Sequence, residues 1–259
     1  MRQTQMRTWV WGEMLVKAPD SIQTWVPPLD EALQDLRLGT AVEVPATLNR
    51  QFKGAPSGLA IELMQMLCDQ MEMRYSWVTQ SYAALIPALQ CHQIDVIVPI
   101  TLTDRYCCEL EFSDVLYPVG TRLVVRVRSR IQPTVRALRG KRVGVLRGTT
   151  QEAFALERWR WDGVIVRSYD VHRDVIHAIK VGEIDATLQD TLTTFALLSR
   201  PEGRGLAYAG PELDDPILGC SVALGVRKSD LALLEKLNQA LARIRTTDAY
   251  QALSARYLV

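Results

Sequence analysis

The sequence predicts an α/β protein of two similar lobes, and three observations lead to that fold class. Strand and helix patterns alternate along the chain, which is typical of parallel sheets. The alternation occurs twice, once over residues 36–98 and once over residues 138–188. In both halves the third strand begins with Ile-Asp, at Ile94-Asp95 and at Ile184-Asp185. We therefore expect two βαβαβ units.

The first unit begins with a strand over residues 36–40, which leads into a loop. Apolar residues near helical spacing predict a helix over residues 58–73. A strand over residues 75–78, a helix over residues 82–90 and a buried strand over residues 94–98 complete the unit.

The second unit repeats this order. The pattern predicts a strand over residues 138–146, a helix over residues 151–159 and a strand over residues 164–169. A helix over residues 171–181 and a strand over residues 184–188 follow.

Two extended runs, residues 121–128 and residues 220–227, lie between and after the two units. We expect them to cross between the lobes as hinge strands, with residues 231–257 returning to the first lobe as helices. The predicted division has three parts: residues 1–34 as an N-terminal extension of unassigned fold, residues 35–123 with 222–259 as lobe 1, and residues 124–221 as lobe 2.

Residues 140–153 carry the most informative motif of the chain. They describe a strand that ends at Gly148, where glycine permits a tight turn, and opens a helix. Thr149 and Glu152 have the spacing of a capping box. The N–H groups of the first helical turn then face outward at the positive end of the helix dipole. The motif predicts a site for a small anion or dipole, or simply a capped helix.

Composition excludes several functional classes. The 259 residues carry a net charge of +1, which gives no reason to expect nucleic acid or an anionic membrane as a partner. The five cysteines lack CxxC spacing and the three histidines are scattered, which argues against a metal site. No run approaches transmembrane length. Residues 8–16 are interrupted by Gly12 and Glu13, so they do not form a clear signal peptide.

Several segments resemble the extracytoplasmic solute-binding proteins of family 3, in particular the branch that binds lysine, arginine, ornithine and histidine. They keep the family's order and spacing from about residue 36 to the C-terminus: LRLGT, WVTQSYAALIPAL, ELEFSDVLY, GKRVGVLRGTTQEAF, GEIDATLQD and LGVRKSD. The resemblance implies the type II periplasmic-binding-protein fold, in which two α/β lobes close by hinge motion over one polar amino acid. It also implies a periplasmic monomer that serves an ABC importer, without enzyme activity, cofactor or metal.

The resemblance assigns roles in the second lobe. Asp190 falls where the family places the carboxylate that pairs with the ligand's α-ammonium group, although an Asp there also suits a helix N-cap. Thr149 and Thr150 match the turn that holds the α-carboxylate. In the first lobe, Tyr82 matches the aromatic residue that stacks over the ligand side chain, with a core aromatic as the alternative.

The clamp for the ligand carboxylate departs from the family pattern. The family usually has an arginine three places after a threonine, whereas Arg105 stands one place early and an ungapped alignment puts Tyr106 at the arginine position. The loop that ends at Thr101 is also one residue short. We expect Thr101 and Arg105 to contact the ligand through a compensating shift, with a surface arginine as the alternative.

Other departures concern specificity. Ala41 and Ala60 stand where the branch usually has acidic residues, and losing both removes the groups that neutralise a basic ligand side chain. Leaving such a cation unpaired in a closed cleft is costly. A basic ligand is therefore in doubt, although Glu43 is a substitute acid at a shifted position.

Two other functions stay open beside amino-acid capture. One is a dehydratase of the cyclohexadienyl type, which shares the fold and needs an acid in the cleft, for which Asp190 is the candidate. The other is a degenerate binding domain that serves as a sensor or interaction module.

Overall fold

The structure is a computed structural model, and it describes residues 24–25, 35–41 and 58–257. In these residues the chain forms two mixed β-sheets with helices on their faces, which confirms the predicted α/β class and the two lobes. Of the predicted extension over residues 1–34, the described part is the short strand Thr24–Trp25.

The first lobe is built on a seven-stranded sheet. Strands are numbered in chain order, and this sheet contains β1 (Thr24–Trp25), β2 (Asp35–Ala41), β3 (Arg74–Gln80), β4 (Val96–Thr101), β5 (Glu111–Phe112), β6 (Tyr117–Pro118) and β12 (Ser221–Val226). The spatial order is β1-β3-β2-β4-β12-β5, with β6 also paired to β12. Strand β2 is parallel to β3 and β4, whereas β12 is antiparallel to its neighbours.

The second lobe is built on a five-stranded sheet. Its strands are β7 (Thr121–Arg126), β8 (Arg142–Leu146), β9 (Ile165–Tyr169), β10 (Ala186–Asp190) and β11 (Leu206–Leu213). The order is β11-β7-β10-β8-β9. Strand β8 is parallel to β9 and β10, and β7 is antiparallel to β10 and β11.

Nine α-helices are found in the described residues. They are α1 (Leu59–Gln70), α2 (Leu85–Gln90), α3 (Asp104–Cys107), α4 (Val135–Leu138), α5 (Thr150–Phe154), α6 (His172–Val181), α7 (Thr191–Leu198), α8 (Leu231–Ile244) and α9 (Asp248–Tyr257). A 3-10 turn over Tyr82–Ala84 precedes α2, and a π-helix over Ala155–Trp159 continues α5. None of these helices has the length and apolarity needed to span a bilayer.

Each sheet has a core on both faces, as expected when helices cover a parallel sheet. In β4, Val96 and Val98 pack into one cluster and Ile97 into the other, because successive side chains of a strand point to opposite faces. In the second lobe, β10 is also buried from Ala186 to Gln189. The strands that end at the cavity are therefore held rigidly.

The chain passes between the sheets twice. It leaves the first sheet after β6 and enters the second at β7, and it returns between β11 and β12. Residues 121–123, which the predicted division gives to lobe 1, pair in the second sheet. At the first crossing, the Gly120 N–H donates to the Thr191 hydroxyl oxygen at 3.1 Å.

Asp95 is the centre of an ion cluster in the first lobe. It follows Ile94 and accepts hydrogen bonds from the backbone and guanidinium of Arg37 and from Arg227, with guanidinium nitrogens at 2.8 and 3.0 Å. Burial raises the pKa of Asp95, but these bonds outweigh burial and leave the pKa below its ordinary value. A second Arg227 nitrogen donates to the carbonyl oxygen of Ile94.

Asp185 is the centre of an equivalent ion cluster in the second lobe. It accepts hydrogen bonds from the backbone and guanidinium of Arg142, the latter at 3.0 Å, and Arg126 lies 3.9 Å away. The hydrogen bond from Arg142 lowers the pKa of Asp185 and outweighs the opposing effect of burial. Arg126 donates to the carbonyl oxygen of Ile184. The repeated Ile-Asp pair thus marks a repeated ion cluster.

Several elements differ from the prediction, and the short β5, β6 and α4 are among those that it lacks. The strand predicted over residues 138–146 begins at Arg142, because Leu138 ends α4 and Gly140 has a φ of 72° that interrupts an extended chain. Strand β11 and helix α7 lie outside the predicted elements.

Candidate ligand-binding site

A cavity of about 460 Å³ lies between the two lobes. Its volume falls in the range of small-molecule sites. The first lobe contributes a mostly apolar wall: Ala41, Leu59, Ala60, Ile61, Ile100 and Val222. The second lobe contributes a set of polar residues: Thr149, Gln151, His172, Gln189, Asp190 and Thr193.

Asp190 is the single acidic residue among the described residues that line the cavity. It ends β10, at the carboxyl edge where open α/β sheets bind ligands. It is also the N-cap of α7, since one carboxylate oxygen accepts a hydrogen bond from the Thr193 N–H at 2.7 Å. Burial raises the pKa of Asp190, although the hydrogen bonds to Thr193 oppose the shift. A cationic group beside it offsets this cost.

The turn after β8 forms as the motif predicts. Gly148 has a φ of 80°, and a Cβ there would lie 2.8 Å from the Ala83 Cα of the first lobe, so glycine fits. The Thr149 hydroxyl accepts from the Glu152 N–H at 3.3 Å and donates to the Leu146 carbonyl at 2.7 Å. The Glu152 carboxylate accepts from the Gly148 N–H, one residue before the usual capping-box partner.

The two threonines of this turn take different positions. Thr149 lines the cavity, whereas the Thr150 side chain is 1% exposed and is not part of the lining. Gln151 lines the cavity, and its amide donates to the Thr121 hydroxyl at 3.1 Å. The Thr150 hydroxyl therefore does not face the cavity.

In the first lobe, Tyr82 and Thr101 both line the cavity. Tyr82 opens the 3-10 turn before α2, and Thr101 ends β4. Burial raises the pKa of Tyr82, and hydrogen bonds with Thr101 oppose the rise. The neutral Tyr82 side chain is thus held at the cavity surface by Thr101, which also lines the cavity.

The structure does not bring Arg105 to the cavity. Arg105 is exposed on the single turn of α3, while the next residue, Tyr106, is 4% exposed. Adjacent residues of a helix point in directions about 100° apart, so one turn cannot direct both side chains inward. The Tyr106 hydroxyl donates to the Gly148 carbonyl at 2.6 Å and joins the two lobes. Burial raises the pKa of Tyr106 to about 12, which keeps this donor protonated.

His172 and Gln189 are cavity residues outside the predicted set. His172 is the first residue of α6, and its Nε2 lies 2.8 Å from the Gln189 Oε1. The Gln189 amide donates to the buried Thr187 hydroxyl at 2.7 Å. Both residues follow or end strands at the carboxyl edge of the second sheet, and that position is the signal that identifies them.

Of the positions that bear on specificity, Ala41 and Ala60 line the cavity. The alternative acid, Glu43, lies outside the described residues. Among the described residues, no group of three histidine, cysteine or acidic side chains is arranged to hold a metal ion.

The family model of the bacterial extracellular solute-binding proteins, family 3, matches residues 36–259. The chain belongs to this family. The histidine-binding periplasmic protein of Escherichia coli K12 is 36% identical over 227 residues, which cover 86% of this chain and 87% of that protein. The lysine/arginine/ornithine-binding periplasmic protein of the same organism is 36% identical over 228 residues, with the same coverage.

Solved structures of the family resemble this one in fold. An ancestral arginine-binding protein bound to arginine superposes with a TM-score of 0.79 at 26% identity, covering 87% of this chain and 98% of that chain. The same ancestral protein bound to glutamine gives a TM-score of 0.78 at 26% identity with the same coverage. These comparisons confirm the family and the type II fold.

Proposed function

We propose that this family member captures one polar amino acid in the cavity between its lobes and delivers it to an ABC-type importer. The observation that carries the proposal is Asp190, a half-buried carboxylate on the polar wall of that cavity. In this proposal the protein works outside the cytoplasm as a monomer and requires neither cofactor nor catalysis. Its relatives are named as binding proteins for histidine and for lysine, arginine and ornithine, which supports an amino acid as the ligand class.

The proposed binding mode uses both lobes. Asp190 pairs with the α-ammonium group, and the first-turn N–H groups of Thr150 and Gln151 hold the α-carboxylate. The Tyr82 ring and Thr101 cover the ligand from the first lobe. Arg105 is left out of this binding mode because it is exposed.

A thermal-shift panel tests the proposal. The purified chain is heated with each common amino acid, and at least one amino acid should raise the melting temperature. A ligand present at 100 times its Kd stabilises the folded state by about 2.7 kcal/mol. Asp190→Asn should abolish the shift, because asparagine keeps the N-cap acceptor but loses the charge. Asp174→Asn, on the exposed side of α6, is the matched control and should leave the shift unchanged.

Two other outcomes separate the alternatives. If no amino acid raises the melting temperature, amino-acid capture is contradicted and the degenerate binding module is favoured. The exposed position of Arg105 supports that alternative. A half-buried carboxyl with a raised pKa, such as that of Asp190, is also what a dehydratase acid needs. Turnover of prephenate that is lost in Asp190→Asn would establish the enzyme instead.

A further inference from the structure

The cavity wall of the first lobe is the feature that discriminates among ligands. Leu59, Ala60 and Ile61 stand at the start of α1 and line the cavity, and each is at most 5% exposed. Ala41, at the end of β2, extends this wall. A ligand held by Asp190 on the opposite wall therefore directs its remaining atoms toward an apolar surface that, in the described residues, carries no carboxylate.

The described charged residues that line the cavity offer a cationic side chain no carboxylate besides Asp190. Arg200 and Arg256 also line it, so the described lining holds two guanidinium groups and one carboxylate. Arg256 is ion-paired with Glu62 at 2.6 Å, and Glu62 itself is not part of the lining. The single carboxylate, Asp190, is already assigned to the α-ammonium group.

We propose that the site selects amino acids whose side chain is uncharged and discriminates against cationic side chains. This inference rests on the proposed function, because it assumes that Asp190 holds the α-ammonium group. A second cation placed against the apolar wall loses water without gaining a partner, whereas an uncharged chain of the same length buries its methylene groups favourably. Glutamine-like or citrulline-like side chains have this chemistry.

Pairs of isosteric ligands test the proposal without changing the protein. Calorimetric titration compares citrulline with arginine, norleucine with lysine, and glutamine with glutamate. In each of the first two pairs the uncharged member should bind at least about tenfold more tightly, a difference that titration resolves readily. Glutamine should also bind more tightly than glutamate, because Arg256 is already paired with Glu62 and the ligand carboxylate meets the apolar wall.

A substitution in the wall tests the same point from the side of the protein. Ala60 lies in the first turn of α1, where a carboxylate is favoured by the helix dipole. Ala60→Asp should shift the preference toward arginine and lysine by about tenfold or more. Ala60→Asn has nearly the same shape without the charge, so it should leave the preference for citrulline over arginine in place.

The outcomes separate this inference from the proposed function. Arginine or lysine binding as tightly as its uncharged isostere would overturn the inference and leave amino-acid capture standing. A preference for glutamate over glutamine would overturn it as well. If no amino acid binds in the calorimeter or in the thermal panel, the proposed function fails and the inference fails with it. Because the wild-type ligand pairs need no variant, a misfolded Ala60→Asp protein does not decide the result.

Discussion

The two lobes are alike where they hold their own strands and different where they face the cavity. Asp95 and Asp185 occupy equivalent places, each after an isoleucine and each bound by the backbone and guanidinium of an arginine. In each lobe a second arginine, Arg227 or Arg126, reaches the same aspartate and the carbonyl of that isoleucine.

The walls of the cavity show no such symmetry. Asp190 and its polar neighbours lie in the second lobe, while the first lobe contributes mostly alanines and branched aliphatic residues, together with Tyr82, Thr101 and Arg256. Each lobe uses an aspartate bound by two arginines to stabilise its sheet, so the two ion clusters are equivalent. In the proposed binding mode only the second lobe holds the charged head of the ligand, so the first-lobe wall is the one that we expect to set selectivity.

Removing the central carboxylate of each ion cluster tests the symmetric part and should have the largest effect on stability. Asp95→Ala removes the carboxylate that pairs with Arg37 and one of the two that pair with Arg227, which keeps Asp230. It should lower the free energy of unfolding by about 2 kcal/mol, less than the loss of a fully buried pair. Asp185→Ala should cost less, because Arg126 is 3.9 Å from Asp185 whereas Arg227 is 3.0 Å from Asp95. Urea denaturation of both variants measures the difference.

Asp170→Ala is the control for this pair. Asp170 pairs with Arg147 on the surface, with the aspartate side chain 70% exposed, so its loss should change stability little. Equal and small losses in all three variants would show that the buried clusters do not stabilise the lobes.

The pH dependence of ligand affinity tests the polar wall. Burial raises the pKa of Asp190, and an α-ammonium group binds the ionised carboxylate. Affinity should therefore be highest above this raised pKa and should fall by up to about tenfold per pH unit as the pH drops below it. Titrations from pH 8 downward measure the profile.

His172 lies close enough to Asp190 to lower its pKa and carries an ionisable imidazole, so it needs a control. His172→Gln keeps a hydrogen-bonding side chain beside Gln189 and should retain the acidic fall in affinity. If the affinity of His172→Gln no longer falls at acidic pH, the His172 imidazole rather than Asp190 causes the pH dependence.

The contact between the lobes should give the smallest effect. Tyr106→Phe removes the hydrogen bond to the Gly148 carbonyl and should weaken ligand binding by about 1 kcal/mol, because closure loses one interlobe bond. Arg105→Ala, one residue away and exposed, should leave the affinity unchanged. A larger loss of ligand affinity in Arg105→Ala than in Tyr106→Phe would show that Arg105 contacts the ligand after all.

Much of the fold follows from local patterns in the sequence. The turn at Gly148 and the cap at Thr149 were predictable because each depends on residues within four positions. Helix α7 was harder to predict because three of its eight residues are threonines, which favour strands. Strand β11 contains Gly210 and Pro211 and a register shift, which interrupt the pattern of a strand.

The site was predictable only in part. Asp190 and Tyr82 line the cavity as expected, since each stands at the boundary of a predicted element. The direction of Arg105 depends on where the one-turn helix α3 starts, and a shift of one residue there rotates the side chain by about 100°. His172 and Gln189 become recognisable as neighbours only when two separate strands end at the same edge.

The most direct test compares one residue from each wall in a single titration series. The amino acid that gives the largest thermal shift is titrated into the wild type, Asp190→Asn and Thr101→Val. The difference between the lobes predicts a loss of about 100-fold or more for Asp190→Asn and less than about tenfold for Thr101→Val, since a desolvated ion pair contributes more than one neutral hydroxyl. Equal losses, or a greater loss in Thr101→Val, would contradict the assignment of ligand recognition to the second lobe.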